Sequence, residues 1–183
     1  MSSTVRADAA RSRERILAVA KGRDAAELRL NDIARDAGVG VGTVYRHFPN
    51  VRALVEALSV ESLRRLNEAA EAATREADAV VALRRFLADA LALQLSDSGL
   101  QAVLVDLERS DPIVHSECTA ARAQVSAGFG AVLVRAQATG AVRADLSAAQ
   151  LQRLVCGVEH AVRLGSPADQ QLLLDILIAG IRA

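Results

Sequence analysis

The chain has 183 residues, enough for one domain of ordinary size or two small ones. It is 51% apolar but only 2% aromatic and carries 3 prolines, a mixture that argues against a strand-and-turn protein and for helices. Basic and acidic residues balance at 22 each, which excludes a chain that holds nucleic acid by bulk charge.

The charge is uneven along the chain. From Met1 to Arg23, the basic Arg6, Arg11, Arg13, Arg15, Lys21 and Arg23 face only Asp8 and Glu14, as at an end that meets an anion. Two cysteines in helical contexts, Cys118 and Cys156, do not make a disulfide framework. With no leader-like apolar stretch and no run of about 18 apolar residues, the expectation is a soluble, cytoplasmic protein without a membrane partner.

The first predicted helix runs from about Ala9 to Ala20, with Ile16, Leu17 and Ala20 on its apolar face and Gly22 ending it. A second covers about Leu30 to Asp36, with Ile33, Ala34 and Ala37 inward. Gly38 follows, suited to the left-handed backbone of a helix end. The third covers about Val41 to His47 and is stopped by Pro49, because the residue before proline disfavours helical dihedrals.

Asn50 is a plausible cap for a long fourth helix, about Val51 to Glu76, whose later half is charged and alanine-rich like a connector between two cores. Asp78 opens a helix carrying Val81, Phe86, Leu87, Leu91 and Leu95. Another spans about Leu100 to Arg109, and Asp111-Pro112 opens one that can reach Gly140. Ser147 and Gln150 form a capping box for about Ala148 to Leu164. The last helix spans about Pro167 to Ile181.

The stretch GVGVGTVYRHF, residues 38 to 48, places glycines where each interior one costs roughly 1 kcal/mol against alanine. Two short helices joined by a glycine turn behind a first helix make a helix-turn-helix. Val39, Val44 and Phe48 would pack the third helix inward. Gly40, Val41, Gly42, Thr43, Arg46 and His47 remain outward, with Tyr45 at the margin. A slim helix end carrying hydroxyl and cationic groups suits a DNA major groove, where phosphate contacts set register and base contacts set sequence choice.

The segment LNDIARDAGVGVGTVYRHFPNVRALVEAL, Leu30 to Leu58, resembles the TetR family of transcriptional regulators. The likeness covers roughly Ser12 to Leu58. It implies phosphate contacts by Thr43, Tyr45 and His47, base-edge contacts by Val41 and Gly42, and a base or phosphate contact by Arg46. The chain departs from the family pattern in three places. Gly40 stands where a capping serine is common, Val51 where a lysine is common, and Leu28-Arg29 where a hydroxyl is usual. Arg29 and Arg52 are the candidate substitutes for the lost phosphate contacts.

The resemblance further implies an all-α fold of about nine helices, with a helix-turn-helix DNA-binding domain at 1–50 joined through a long helix to a ligand-binding and dimerisation domain at 51–183. The sequence supports dimerisation independently. Leu172, Leu173, Leu174, Ile176, Leu177, Ile178 and Ile181 wrap the whole last helix, which then has one side for its own domain and one for a partner. Leu151, Leu154, Val155, Val158 and Val162 precede them. Two such helices from each of two copies would form a four-helix bundle, and a homodimer would offer a palindromic operator two recognition helices about 34 Å apart.

Candidate lining for an effector pocket is Phe86, Leu91, Leu95, Leu104, Phe129 and Leu133, with Gln94, His115, Arg122 and Gln124 as polar groups. His115, Cys118, Cys156 and His160 could share helix faces, but pairs at such spacing arise easily, and neither a metal nor any cofactor is expected. No GxSxG, HExxH, GxxxxGKS or GxGxxG stretch suggests an enzyme. The expected function is a dimeric regulator on double-stranded DNA, a repressor released by a small-molecule effector of unknown identity. The alternative is a DNA-binding factor with no ligand.

Overall fold

A computed structural model describes residues 2–105 and 116–183, with side chains described for 7–104 and 118–183. The described residues form nine α-helices and no strand. In chain order they are α1 (Ser2–Ala20), α2 (Leu30–Asp36), α3 (Val41–His47), α4 (Val51–Arg75), α5 (Ala79–Ser96), α6 (Leu100–Val105), α7 (Ser116–Ala138), α8 (Ala148–Leu164) and α9 (Gln170–Gly180). Among the described residues, no helix is long and apolar enough to cross a membrane.

Punctuation in the sequence sets most boundaries. Gly38 takes φ +63 at the end of α2, and the Val39 N–H donates back to Ala34 O at 3.0 Å. Asn50 caps α4 by accepting from Ala53 N, Asp78 caps α5, and Ser147 with Gln150 forms the capping box of α8. Two boundaries differ from expectation. The first helix begins at Ser2 rather than near Ala9, since no glycine or proline interrupts the intervening residues. The last helix begins at Gln170, after a 3-10 turn at Pro167–Asp169 capped by Ser166. The Asp111-Pro112 cap lies outside the described residues.

Ile16 and Ala20 of α1, Leu28, Ile33 and Ala34 before and within α2, and Val44 and Phe48 around α3 are all buried, closing the N-terminal three-helix unit. Arg13 lies over the Phe48 ring, 5.7 Å from its centroid, so this arginine is used within the unit. Arg23 donates to Asp36 at 2.8 Å and pins the end of α1 to the end of α2.

Helix α4 is about 37 Å long at 1.5 Å per residue and packs on α1 at its start, then on α5, α6 and α7. Its alanine-rich half serves packing. Gly128 of α7 comes so close that a Cβ there would lie 2.7 Å from Ala70 Cβ. The two helices run in the same direction, since Cys118 lies in the field of Glu56 while Arg135 donates to Ala73 O and Glu76 O near the α4 end. The buried apolar side chains form one cluster from Ile16 to Ile181, so α4 crosses a continuous core rather than linking two separate ones.

At the C-terminal end, Arg84 of α5 pairs with Asp175 of α9. A single antiparallel bridge joins Val142 to Arg182, and Ala183 N–H donates to Ala141 O at 3.2 Å.

Candidate nucleic-acid interface and effector region

The outer side of α3 is built as its residue types require. Val44 points inward, and Phe48 closes the helix from below. That orientation turns Val41, Gly42, Tyr45 and Arg46 to solvent and leaves Thr43 and His47 half-buried at the flanks. A Cβ at Gly42 would meet nothing within 4 Å, so glycine there lowers the profile of the surface without relieving any internal crowding. Gly40 is the N-cap, in extended geometry, and no side chain caps the helix. Thr43 N–H and Val44 N–H donate to Gly40 O, which leaves the N–H groups of exposed Val41 and Gly42 for an outside acceptor.

Arg29 sits exposed at the N-cap of α2, its Nη1 donating to Leu28 O at 2.9 Å and Ala26 O at 3.1 Å. It stands on the protein surface at a helix N-terminus. Leu28, by contrast, is core. Arg52 is engaged within α4: its Nε donates to buried Glu56 at 3.1 Å, an i,i+4 pair, while its side chain stays 38% exposed.

The expected pocket residues divide. Phe86, Leu91, Leu104 and Phe129 are fully buried core side chains, and the two phenyl rings meet edge to face at 4.7 Å. Leu95 and Arg122 line clefts beside the N-terminal unit. Gln94 is fully buried, with neither amide atom hydrogen-bonded. Its backbone carbonyl accepts from Arg163, which also pairs with buried Glu159. His115 lies outside the described residues. Among the described residues, no group of His, Cys, Asp and Glu could hold a metal. Burial pushes both the Cys118 and Cys156 thiols up to about 11, so each stays protonated at neutral pH, unlike a reactive thiolate.

The expected pairing residues also divide. Leu151, Val155, Val162, Leu177 and Ile181 are buried in their own core. Val158 and Leu173 are half-buried. Leu154 is 43% exposed and Ile176 58%, and they are joined by Leu164 at 77% and Leu172 at 60%. Leu172 was read as part of the all-round apolar last helix and Leu164 was not singled out, because apolar periodicity shows that a helix has two apolar sides and not which one is inward. A Cβ at Gly157, between Leu154 and Ala161, would also meet open space.

Residues 15–58 match the description "Bacterial regulatory proteins, tetR family". Residues 78–183, more than half of the chain, match "Transcriptional regulator SbtR-like, C-terminal domain". The chain belongs to the TetR family.

A TetR transcription regulatory protein from Mycobacterium vanbaalenii is similar at 34% identity and TM-score 0.51, covering 98% of this chain and 99% of that one. The TetR regulator SCO0520 from Streptomyces coelicolor is 26% identical, with TM-score 0.57 over 93% of this chain and 98% of that one. FadR from Bacillus subtilis, solved with stearoyl-CoA, shares the fold at 18% identity and TM-score 0.60, over 93% and 98%. No curated protein matches the chain significantly. As a TetR-family member it is a DNA-binding transcriptional regulator, and α2 and α3 are its helix-turn-helix.

Proposed function

We propose that this regulator acts as a homodimer that represses from a palindromic operator and is released by a small-molecule effector. The observation that carries the reading is the exposed apolar stripe Leu154, Leu164, Leu172 and Ile176 on α8 and α9. An unpartnered stripe of that kind on two terminal helices is suited to its own copy across a two-fold axis, as a four-helix bundle. Such a pair presents two α3 helices to successive major grooves about 34 Å apart, and its symmetry asks for a palindrome.

On each half-site, Thr43, Tyr45 and His47 contact phosphates, with Arg29 and the free N–H groups after Gly40 adding to them. Val41, Gly42 and Arg46 face base edges. Arg52 is left out of the contact set because it is held by Glu56. Residues 1–50 then read DNA, and 51–183 pair and sense.

Release requires an effector that favours one of two arrangements. Helix α4 begins at the N-terminal unit and runs the length of the effector region, so it couples the two. The fold carries a ligand in FadR of Bacillus subtilis, which was solved with stearoyl-CoA. A ligand-free regulator is the second reading, favoured by the packing of Phe86, Leu91 and Phe129 as core.

The test is sedimentation together with gel retardation on duplexes selected from random DNA. The wild type is expected to be dimeric and to retard them. Joint Tyr45→Ala and His47→Ala should abolish retardation while leaving the dimer. Ile176→Glu should give monomers that no longer bind. A monomer indifferent to every duplex at low salt overturns the reading. A metabolite that raises the melting temperature and reverses retardation separates the effector-controlled form from the ligand-free one.

A further inference from the structure

A cavity of about 480 Å³ lies where the N-terminal unit meets the C-terminal helices. Its walls come from four parts of the chain: the Asp24–Ala26 turn, the start of α4, the Ser98–Val103 segment and the start of α7. The size suits a small organic ligand, and Ala25, Val51, Val55, Ala102 and Val103 make much of the wall apolar.

The charges on the wall are not all matched. Glu56 is buried and accepts from Arg52. Asp24 is exposed and is used to cap the turn, accepting from Ala26 N at 2.9 Å. Arg122 of α7 is only 8% exposed, and its Nε is shut off from solvent with no hydrogen-bond partner. Among the described residues, it forms no hydrogen bond or ion pair. A buried N–H without an acceptor costs about 1–3 kcal/mol, and more on a cation. A well-packed apolar side chain of similar volume would avoid that cost.

We propose that this cavity binds a small amphipathic monocarboxylate, whose carboxylate is received by Arg122 and whose apolar body lies against Val51, Val55 and Val103. A carboxylate matches the planar guanidinium fork and supplies the acceptor that Nε lacks. With Arg52 paired to Glu56, Arg122 is the guanidinium of the wall that has no carboxylate partner among the described residues, which suits a monoanion. A phosphate dianion would exceed the charge of Arg122, and Glu56 and Asp24 would repel the excess. The ligand touches both the N-terminal unit and α4, so its binding energy depends on how the two are placed, as an effector requires. The inference rests on the reading of the chain as an effector-controlled regulator and names the site and class of that effector.

The test is calorimetric titration and thermal melting of the full chain without DNA, so that its outcome is independent of operator binding. The probes are octanoate, octanamide and inorganic phosphate. Octanoate is expected to bind saturably at millimolar concentrations or below and to raise the melting temperature, while octanamide and phosphate do neither. Arg122→Met should weaken octanoate at least tenfold while leaving the melting temperature of the ligand-free chain equal or higher. Ala102→Phe, which narrows the cavity with Arg122 intact, should weaken octanoate likewise. The proposal is overturned if octanoate does not bind, if phosphate or octanamide binds equally well, or if both variants keep wild-type affinity. A lower ligand-free melting temperature in Arg122→Met also overturns it, since that marks a structural arginine.

Discussion

The backbone N–H of Ala25 donates to the Ser98 hydroxyl at 3.1 Å, across 73 positions of sequence. This bond fastens the turn after α1 to the segment that opens α6, and so holds the N-terminal unit against the rest of the chain at a second place besides the covalent start of α4. Ser98→Ala should lower stability by about 1 kcal/mol or less, because the freed N–H is only partly buried and reaches water. The specific readout is the Ala25 amide, whose hydrogen exchange should accelerate more than that of the α5 core amides. Unchanged protection at Ala25 would contradict the bond.

Gly99 is held by crowding. A Cβ there would lie 2.6 Å from Val55 Cγ1 and 3.3 Å from Ser59 Oγ. Around it, Asp97 accepts from Ser62 Oγ at 2.6 Å and from Gly99 N at 3.0 Å, tying α4 to the start of α6. Gly99→Ala should cost about 1–3 kcal/mol by overpacking. Adding Val55→Ala should recover part of that loss, a non-additivity that chemical denaturation of the four members of the cycle would measure.

Gly40 caps α3 with no side chain, and its extended backbone is the geometry a capping serine adopts. Gly40→Ser should add a few tenths of a kcal/mol to stability. It should also tighten DNA binding on all sequences alike, since a hydroxyl at this helix end reaches phosphate. Thermal melting and retardation on matched and scrambled duplexes check the two effects. A gain confined to one sequence would point to a base contact instead.

Stability should fall in acid through its ion pairs. Hydrogen bonds from Arg64 and then Arg65 hold the Glu61 carboxyl at about 2 against an ordinary 4.5. Arg23 lowers Asp36, Arg143 lowers Asp145, and Gln171 with Arg84 lowers Asp175. A carboxylate with a depressed folded pKa stabilises above its unfolded value, and that share is lost as pH falls through the folded one. For Glu61 the window runs from about 4.5 down to about 2. The groups are exposed, so each contribution is small. Glu61→Gln should flatten the slope of melting temperature against pH in that window and leave it unchanged near neutrality.

The helix-turn-helix was legible because its signals are local. Gly38, Pro49 and Asn50 bound α2, α3 and α4, and the inward Val44 and Phe48 dictate which side of α3 remains outside. Contacts between distant segments were not legible. Nothing in the sequence joins Ser98 to Ala25, or shows that Phe86 and Phe129 fill each other's space. The Arg52–Glu56 pair was readable in principle from their i,i+4 spacing, and was obscured by the place of Arg52 beside the DNA-facing helices.

The close seat of Gly128 on Ala70 has a mechanical result. Two helices packed this closely resist sliding there, so a rocking of α4 would pivot about this spot. From Ala70 back to Val51 is about 28 Å of rigid rod, and a rocking of about 5° carries its tip about 2.5 Å. In a symmetric pair the two tips would part by about twice that. In the proposed dimer, a small displacement of that tip would put the two recognition helices out of step with the pitch of the double helix.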